Sequence, residues 1–365
     1  MPLDWSHANN TVANNQIFGS LQTGPYPHSR HNKDRLDSNT ILLPLHESTA
    51  LADTAAATRA KRIAELPLEQ TGHAGGFITG TWHSLIDIWA QHDLLGLLVR
   101  RELKARYKDS SLGILWSLVR PLAQLLIYYF AIGQILGLAR AIPDFAIFVF
   151  VGLTAWTLFT EIVSTSTKSI INNAGLVKKV YLPREIFPLA SAGGALFNFA
   201  VQLAILLIAA LVIGKFPITL DLLYAFLGFI LIVVFGTAVG MLLSALTVYL
   251  RDLEHLVEVV LVVMFWTSPI VYSYSYVSQY LAGGWLEQLY LSNPVTLGVL
   301  GMQRGIWTAG SDAALATVDE NGAVLANWPP DLALRMWIAL AVSAVLLWLA
   351  QRVFSRLQGN FAQEL

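Results

Sequence analysis

From about residue 112 onward the chain alternates long apolar stretches with short polar interruptions, and that rhythm predicts its elements. Six stretches reach the roughly 20 residues a helix needs to cross a bilayer: about 112–138, 145–167, 186–213, 220–249, 256–276 and 332–353. They are continuous rather than alternating, which favours helices over the strands of a barrel. The links at 139–144 and 214–219 are short, with one proline each, so the helices they join run antiparallel. Residues 277–330 are too long for a plain connector. Within them, "YVSQYLAGGWLEQLYLSNPVTLGVLGMQRGIW" has apolar pieces too short to span, broken by Gly283, Gly284 and Pro294. This pattern predicts a segment that re-enters or lies along the outer leaflet, followed by an exposed loop at about 309–330.

The first third of the chain is patterned differently. Residues 1–75 mix Asn, His, Ser, Pro and Thr, then an Ala-rich piece, "ALADTAAATRAKRIAEL"; they read as a mostly disordered extension with one marginal helix. In 82–108 the apolar positions Leu85, Ile86, Ile88, Trp89, Leu94, Leu95, Leu97, Leu98 and Leu103 approach a 3,4 repeat. The turns that follow carry Arg100, Arg101, Lys104, Arg106 and Lys108. An amphipathic interface helix on the membrane surface is expected, with its bases toward anionic headgroups.

Composition fits this division. The 365 residues are 55% hydrophobic and 13% charged, against roughly 25% charge in an ordinary soluble domain. A net charge of −1 argues against a nucleic-acid partner, and the absence of cysteine removes disulfides and thiol chemistry. The first 30 residues hold no apolar signal-peptide core, so the first span is expected to direct insertion itself. Lys and Arg divide twelve to four between the two sides of the predicted helices, which puts both ends of the chain on the cytoplasmic side.

Motifs for catalysis are missing. There is no G-x-x-x-x-G-K-[ST] phosphate loop, HExxH, GxSxG or kinase-like set, and His255 is the only histidine beyond residue 92. Glu161 is the clearest ionisable residue inside a span; a charge near the bilayer centre costs at least ~2.5–3.5 kcal/mol, so it should face a helix interface or a wet cavity.

Three constellations carry functional potential. The stretch "AGLVKKVYLPREIFPLA", residues 174–190, places Lys178, Lys179, Arg184 and Glu185 between two apolar runs. It reads as a cytoplasmic loop between spans two and three, either a topology anchor or a contact element. The bases Arg100, Arg101, Lys104 and Arg106 suit either lipid headgroups or the phosphates of a lipid-linked substrate. Tyr128, Trp156, Trp266, Tyr272, Tyr274 and Tyr276 suit either an interfacial aromatic belt or a channel lining on which sugar rings stack.

Several stretches resemble the membrane subunit of the ABC-2 polysaccharide exporters, permeases for O-antigen, teichoic acid and related envelope glycans. They are "RELKARYKDSSLGILWSLVRPL" at 101–122, "GLVKKVYLPREIFPLA" at 175–190, "YLRDLEHLVEVVLVVMFWTSPIVYS" at 249–273, "LSNPVTLGVLGMQRGIW" at 291–307 and the closing "NFAQEL". The resemblance runs over about 82–365; the extension at 1–75 departs from it. It implies an all-α integral membrane protein whose transmembrane domain occupies 112–365, working as a homodimer beneath which two copies of a separate ATPase subunit dock. ATP and Mg would be bound by that partner, and this chain would hold no cofactor. The loop at Asn172–Phe187 maps onto the family's coupling helix, with Lys178, Lys179, Arg184 and Glu185 as charged contacts and Tyr181 and Leu182 as an apolar wedge. Pro183 and Pro188 would end it sharply, since each fixes φ and removes a donor. The same family maps spans one and five onto the channel wall. A small-molecule ABC-2 exporter and a glycan-handling membrane enzyme without an ATPase remain as alternatives.

Overall fold

The computed structural model describes residues 90–107, 116–179, 182–281, 284–308, 317–318, 324–325 and 328–365. The chain divides into Met1–Glu69 and Gln70–Leu365, and every described residue belongs to the second unit. The extension at 1–75, the first part of the predicted interface helix and Tyr181 therefore lie outside the described residues.

The described part is helical apart from one two-residue antiparallel ladder, Thr317–Val318 with Val324–Leu325, inside the predicted exposed loop. Among the described residues, four helices are long and apolar enough to cross a membrane. They are α4 (Phe145–Asn172), α6 (Ile186–Val212), α7 (Leu222–Thr247) and α12 (Leu332–Leu357). These match four predicted spans closely. Their forerunners are α1 (His92–Tyr107), α2 (Trp116–Tyr128) and the short α3 (Leu138–Ala141).

The first and fifth predicted spans depart from a single long α-helix. After Tyr128 the backbone widens into a π-helix over Tyr129–Ile135, and Gly137 turns the chain at a φ of 82° that a side chain would strain. The fifth, α8 (Leu253–Trp266), stops ten residues short of expectation. Pro269 explains this: it has no N–H to give and biases the residue before it away from helix. The freed carbonyls find side chains instead, with Ser268 Oγ donating to Met264 O at 2.8 Å and Gln303 Nε2 to Pro269 O at 2.8 Å. The predicted re-entrant stretch forms three helices: α9 (Tyr274–Leu281), α10 (Trp285–Leu291) and α11 (Pro294–Ile306). Asn293 caps α11 by accepting from Val295 N at 3.0 Å, with Pro294 at the first helical position where its missing donor costs nothing.

Helix α7 is the hub, with α4, α11 and α12 packed along it. Close approach comes from glycine. A Cβ at Gly228 would stand 2.6 Å from Gly298 O, and one at Gly305 would stand 2.6 Å from Ala225 N. Small residues let backbones touch where lipid offers no hydrophobic drive to associate. Helix α4 is enclosed, 78% of its apolar window being buried against 22% for α12. The outward faces of α2, α6, α8 and α12 stay apolar and exposed, for example Leu126, Ile208, Val259 and Trp337.

Candidate functional site

A separate hydrophobic cluster gathers the ends of the long helices at one pole of the bundle. Leu98 of α1, Ile170 of α4, Ile186 and Phe187 of α6, Val248 after α7 and Phe354 of α12 pack together there. Among the described residues, this pole also carries most of the Lys and Arg. It mounts α5 (Ala174–Lys179), α6 and the closing α13 (Phe361–Glu364).

The loop between α4 and α6 is built onto that cluster. Asn173 ends α4, donating back to Ser169 O at 2.8 Å and accepting from the Arg101 guanidinium. In α5, Val177 points into the cluster at 5% exposure, and the helical period then turns Lys178 and Lys179 outward, where both are exposed. Leu182 and Pro183 are half-buried. The Arg184 guanidinium lies over the Phe361 ring, 5.9 Å from its centroid. Glu185 is only 2% exposed and accepts from Ser355 Oγ at 3.0 Å. As an outward charged contact Glu185 is therefore corrected: a carboxylate this buried must be hydrogen-bonded, and here it fastens the loop inward. Pro188 is buried in the first turn of α6, and its carbonyl accepts from Ser166 Oγ at 3.1 Å.

Helix α1 is more deeply engaged than a surface helix. It packs along the first half of α6, where a Cβ on Gly193 would come within 2.7 Å of Val99. Arg100, Arg101, Lys104 and Arg106 are all exposed, and Arg101 and Arg106 also reach side chains of the loop and of α4. Arg106 pairs with Glu161 of α4, which also accepts from Asn198 of α6. The expectation that Glu161 faces a helix interface is met by this arrangement. Beside it, Glu102 accepts from Ser191 Oγ at 3.4 Å. Burial raises the Glu102 carboxyl above its usual range, against the opposing pull of Arg106 and the Ser191 hydrogen bond. Glu102, Ser191 and Asn198 were not apparent as a group in the sequence, because nothing in their spacing links the two separate helices that carry them.

Lys168 ties α4 to α8, reaching Glu254 at 3.5 Å and Glu258 at 3.3 Å. Among the described residues no group of three or more His, Cys, Asp or Glu is placed to hold a metal.

The six aromatics do not share one wall. Tyr128 stacks on Phe265 at 5.8 Å, and Phe265 meets Trp156 edge-on at 5.6 Å, so this trio joins α2, α8 and α4. Trp156 is 8% exposed within that packing, and Tyr274 is 2% exposed with its hydroxyl on Glu287. Both are enclosed by protein here. Trp266 is open at 55% exposure, Tyr272 donates to its carbonyl at 3.0 Å, and Tyr276 is half-buried.

Residues 93–307 match the family model described as ABC-2 type transporter. Among characterised proteins, the chain is similar to the O-antigen export system permease protein RfbA of Myxococcus xanthus. The two are 29% identical over 279 residues, covering 76% of this chain and 98% of the relative. An RfbA of Klebsiella pneumoniae is 33% identical over 185 residues, 50% of this chain and 69% of its own length. The polysialic acid transport protein KpsM of Escherichia coli is 26% identical over 178 residues, 48% and 68% respectively. With more than half its length inside the family model, and its long apolar helices packed through glycine, the chain belongs to the ABC-2 type transporter family.

Proposed function

We propose that this chain is the permease subunit of an ATP-driven exporter that moves a lipid-linked polysaccharide across the bacterial inner membrane. Two copies form the channel, and a separate ATPase subunit, also in two copies, binds ATP and Mg and docks at the basic pole. That pole faces the cytoplasm, with both ends of the chain. There are six crossings: the first is α2 continued by the π-helix, the fifth is α8 with the bend after it, and α9 and α10 form an outer gate.

The observation that carries this reading is the exposed Lys178–Lys179 pair on α5, in a loop anchored inward at Val177, Arg184 and Glu185. A short element with a rigid mount transmits a push that a free loop would absorb. The names of the relatives, permeases for O-antigen and a polysialic acid transporter, support the cargo class. Exposed Arg100 and Lys104 suit the phosphates that link such a polymer to lipid.

The test is co-purification with the ATPase subunit of the same transport system. In Lys178→Glu, Lys179→Glu, capture should fall at least about tenfold, as loss of charge complementarity at an interface centre does, while membrane insertion is unchanged. Undiminished capture would make the lysines topology anchors only.

A further inference from the structure

The residues beyond the last long helix have no role in the reading above, yet they hold the loop that does. Helix α5 has six residues, too few to stand alone. Its continuation finds its partners 170 positions away in sequence, through Glu185 and Ser355. Gln351 Nε2 donates to Ser355 Oγ at 3.0 Å, and Ser355 donates onward to the buried Glu185 carboxylate at 3.0 Å, a hydrogen-bonded chain from α12 into the loop. Phe361 is fully buried in an aromatic cage, 5.4 Å from Phe354 and 6.2 Å from Tyr249, with the Arg184 guanidinium as one wall. Tyr249 also donates to Leu357 O at 2.9 Å, fixing the turn from which α13 departs, and α13 packs against α5. Helix α12 then runs unbroken to its other end, where Arg335 donates to Gln288 of α10 at 3.0 Å.

We propose that residues 354–365 are the seat of the coupling loop. Ser355 and Phe361 are positioning residues through which an ATPase subunit's push on α5 enters α12 directly, not only through the flanking α4 and α6. This rests on the transporter reading, and its partner is that same ATPase subunit. A six-residue helix tethered only by its neighbours would tilt when pressed. Packed against α13, with its continuation fastened at Glu185 to Ser355, it moves as one body with a helix that reaches the far pole.

Ser355→Ala and Phe361→Ala test this, with Phe361→Leu retaining apolar fill in the cage. For each variant, three quantities are measured: capture of the ATPase subunit, Mg-ATP hydrolysis by the captured complex in proteoliposomes, and polysaccharide appearing on the cell surface. Capture and hydrolysis should stay within about twofold of wild type while export drops at least about tenfold, the size of an ordinary coupling free energy. Phe361→Leu should restore most of the export. Wild-type export from both alanine variants overturns the proposal. So does a parallel loss of capture, hydrolysis and export that Phe361→Leu shares, since that marks a folding defect. If the wild-type chain captures no ATPase, it is the transporter reading that fails.

Discussion

Replacing Arg106 by alanine removes the one cation that, among the described residues, is paired with Glu161. The side chains of this pair are 29% and 16% exposed, between the open surface and a dry interior. Exposed pairs contribute about 0–1 kcal/mol and breaking a fully buried one costs about 3–5 kcal/mol. Asn198 still donates to the carboxylate, so an intermediate loss of about 2 kcal/mol is expected. The loss falls on the docking of α1, because Arg106 ties the last turn of that helix to α4. At 1.4 kcal/mol per decade, α1 should open about 30-fold more often. Hydrogen exchange followed by mass spectrometry in lipid nanodiscs reads this directly, as faster exchange confined to peptides of α1. Adding Glu161→Gln removes the charge left without a counter-ion, so the double variant should recover at least about 1 kcal/mol relative to the sum of the singles. Unchanged exchange in α1, or strict additivity in the cycle, would refute the view that this pair latches the helix.

Two further predictions follow from geometry and charge. Gly305→Ala drives a Cβ into backbone at Ala225 N and Asp221 O, 2.6 and 2.8 Å away, and should cost about 1–3 kcal/mol, read as a lower melting temperature. Gly96→Ala, with nothing within 4 Å, should be neutral in the same assay. Glu102 is raised by burial, with Arg106, Arg101, Ser191 and Glu161 as its other influences. A carboxyl raised on folding binds more protons folded than unfolded, so stability should fall as pH climbs from its ordinary value of 4.5 through the raised one. Thermal melts across that window should show the decline, and Glu102→Gln should flatten it.

The long elements were legible because continuous apolar runs leave the backbone no alternative in lipid. Spans expected at 186–213 and 332–353 appear as Ile186–Val212 and Leu332–Leu357. The early end of α8 was written in Pro269, but the apolar run through Val271 outweighed it in a reading by hydropathy. The π-helix after Tyr128 has no comparable mark, since register within an apolar run is set by packing, here Gly133 against Phe145. For the loop, the outward lysines were readable from charge. The inward turn of Glu185 was not, because Ser355 lies 170 residues away and only folding brings it near. The partner of Arg106 failed to show for the same reason, Arg106 and Glu161 being 55 positions apart.

The pairing of Arg106 with Glu161 also bears on how the protein is made. Helix α4 ends enclosed by its neighbours, yet α6, α7 and α12 all follow it in the chain. Synthesis proceeds from the N-terminal end, so α4 meets the bilayer before any of them does. At that moment Asn198, 37 positions further on, has not yet reached the membrane, and an unaccompanied glutamate in the middle of a newly inserted helix would favour its slipping back into water. Arg106 has already left the ribosome by then. The basic helix ahead of the first span thus brings the counter-charge that lets an acidic helix stay in lipid until its companions arrive, and a chain lacking Arg106 should stall during biogenesis as well as loosen once folded.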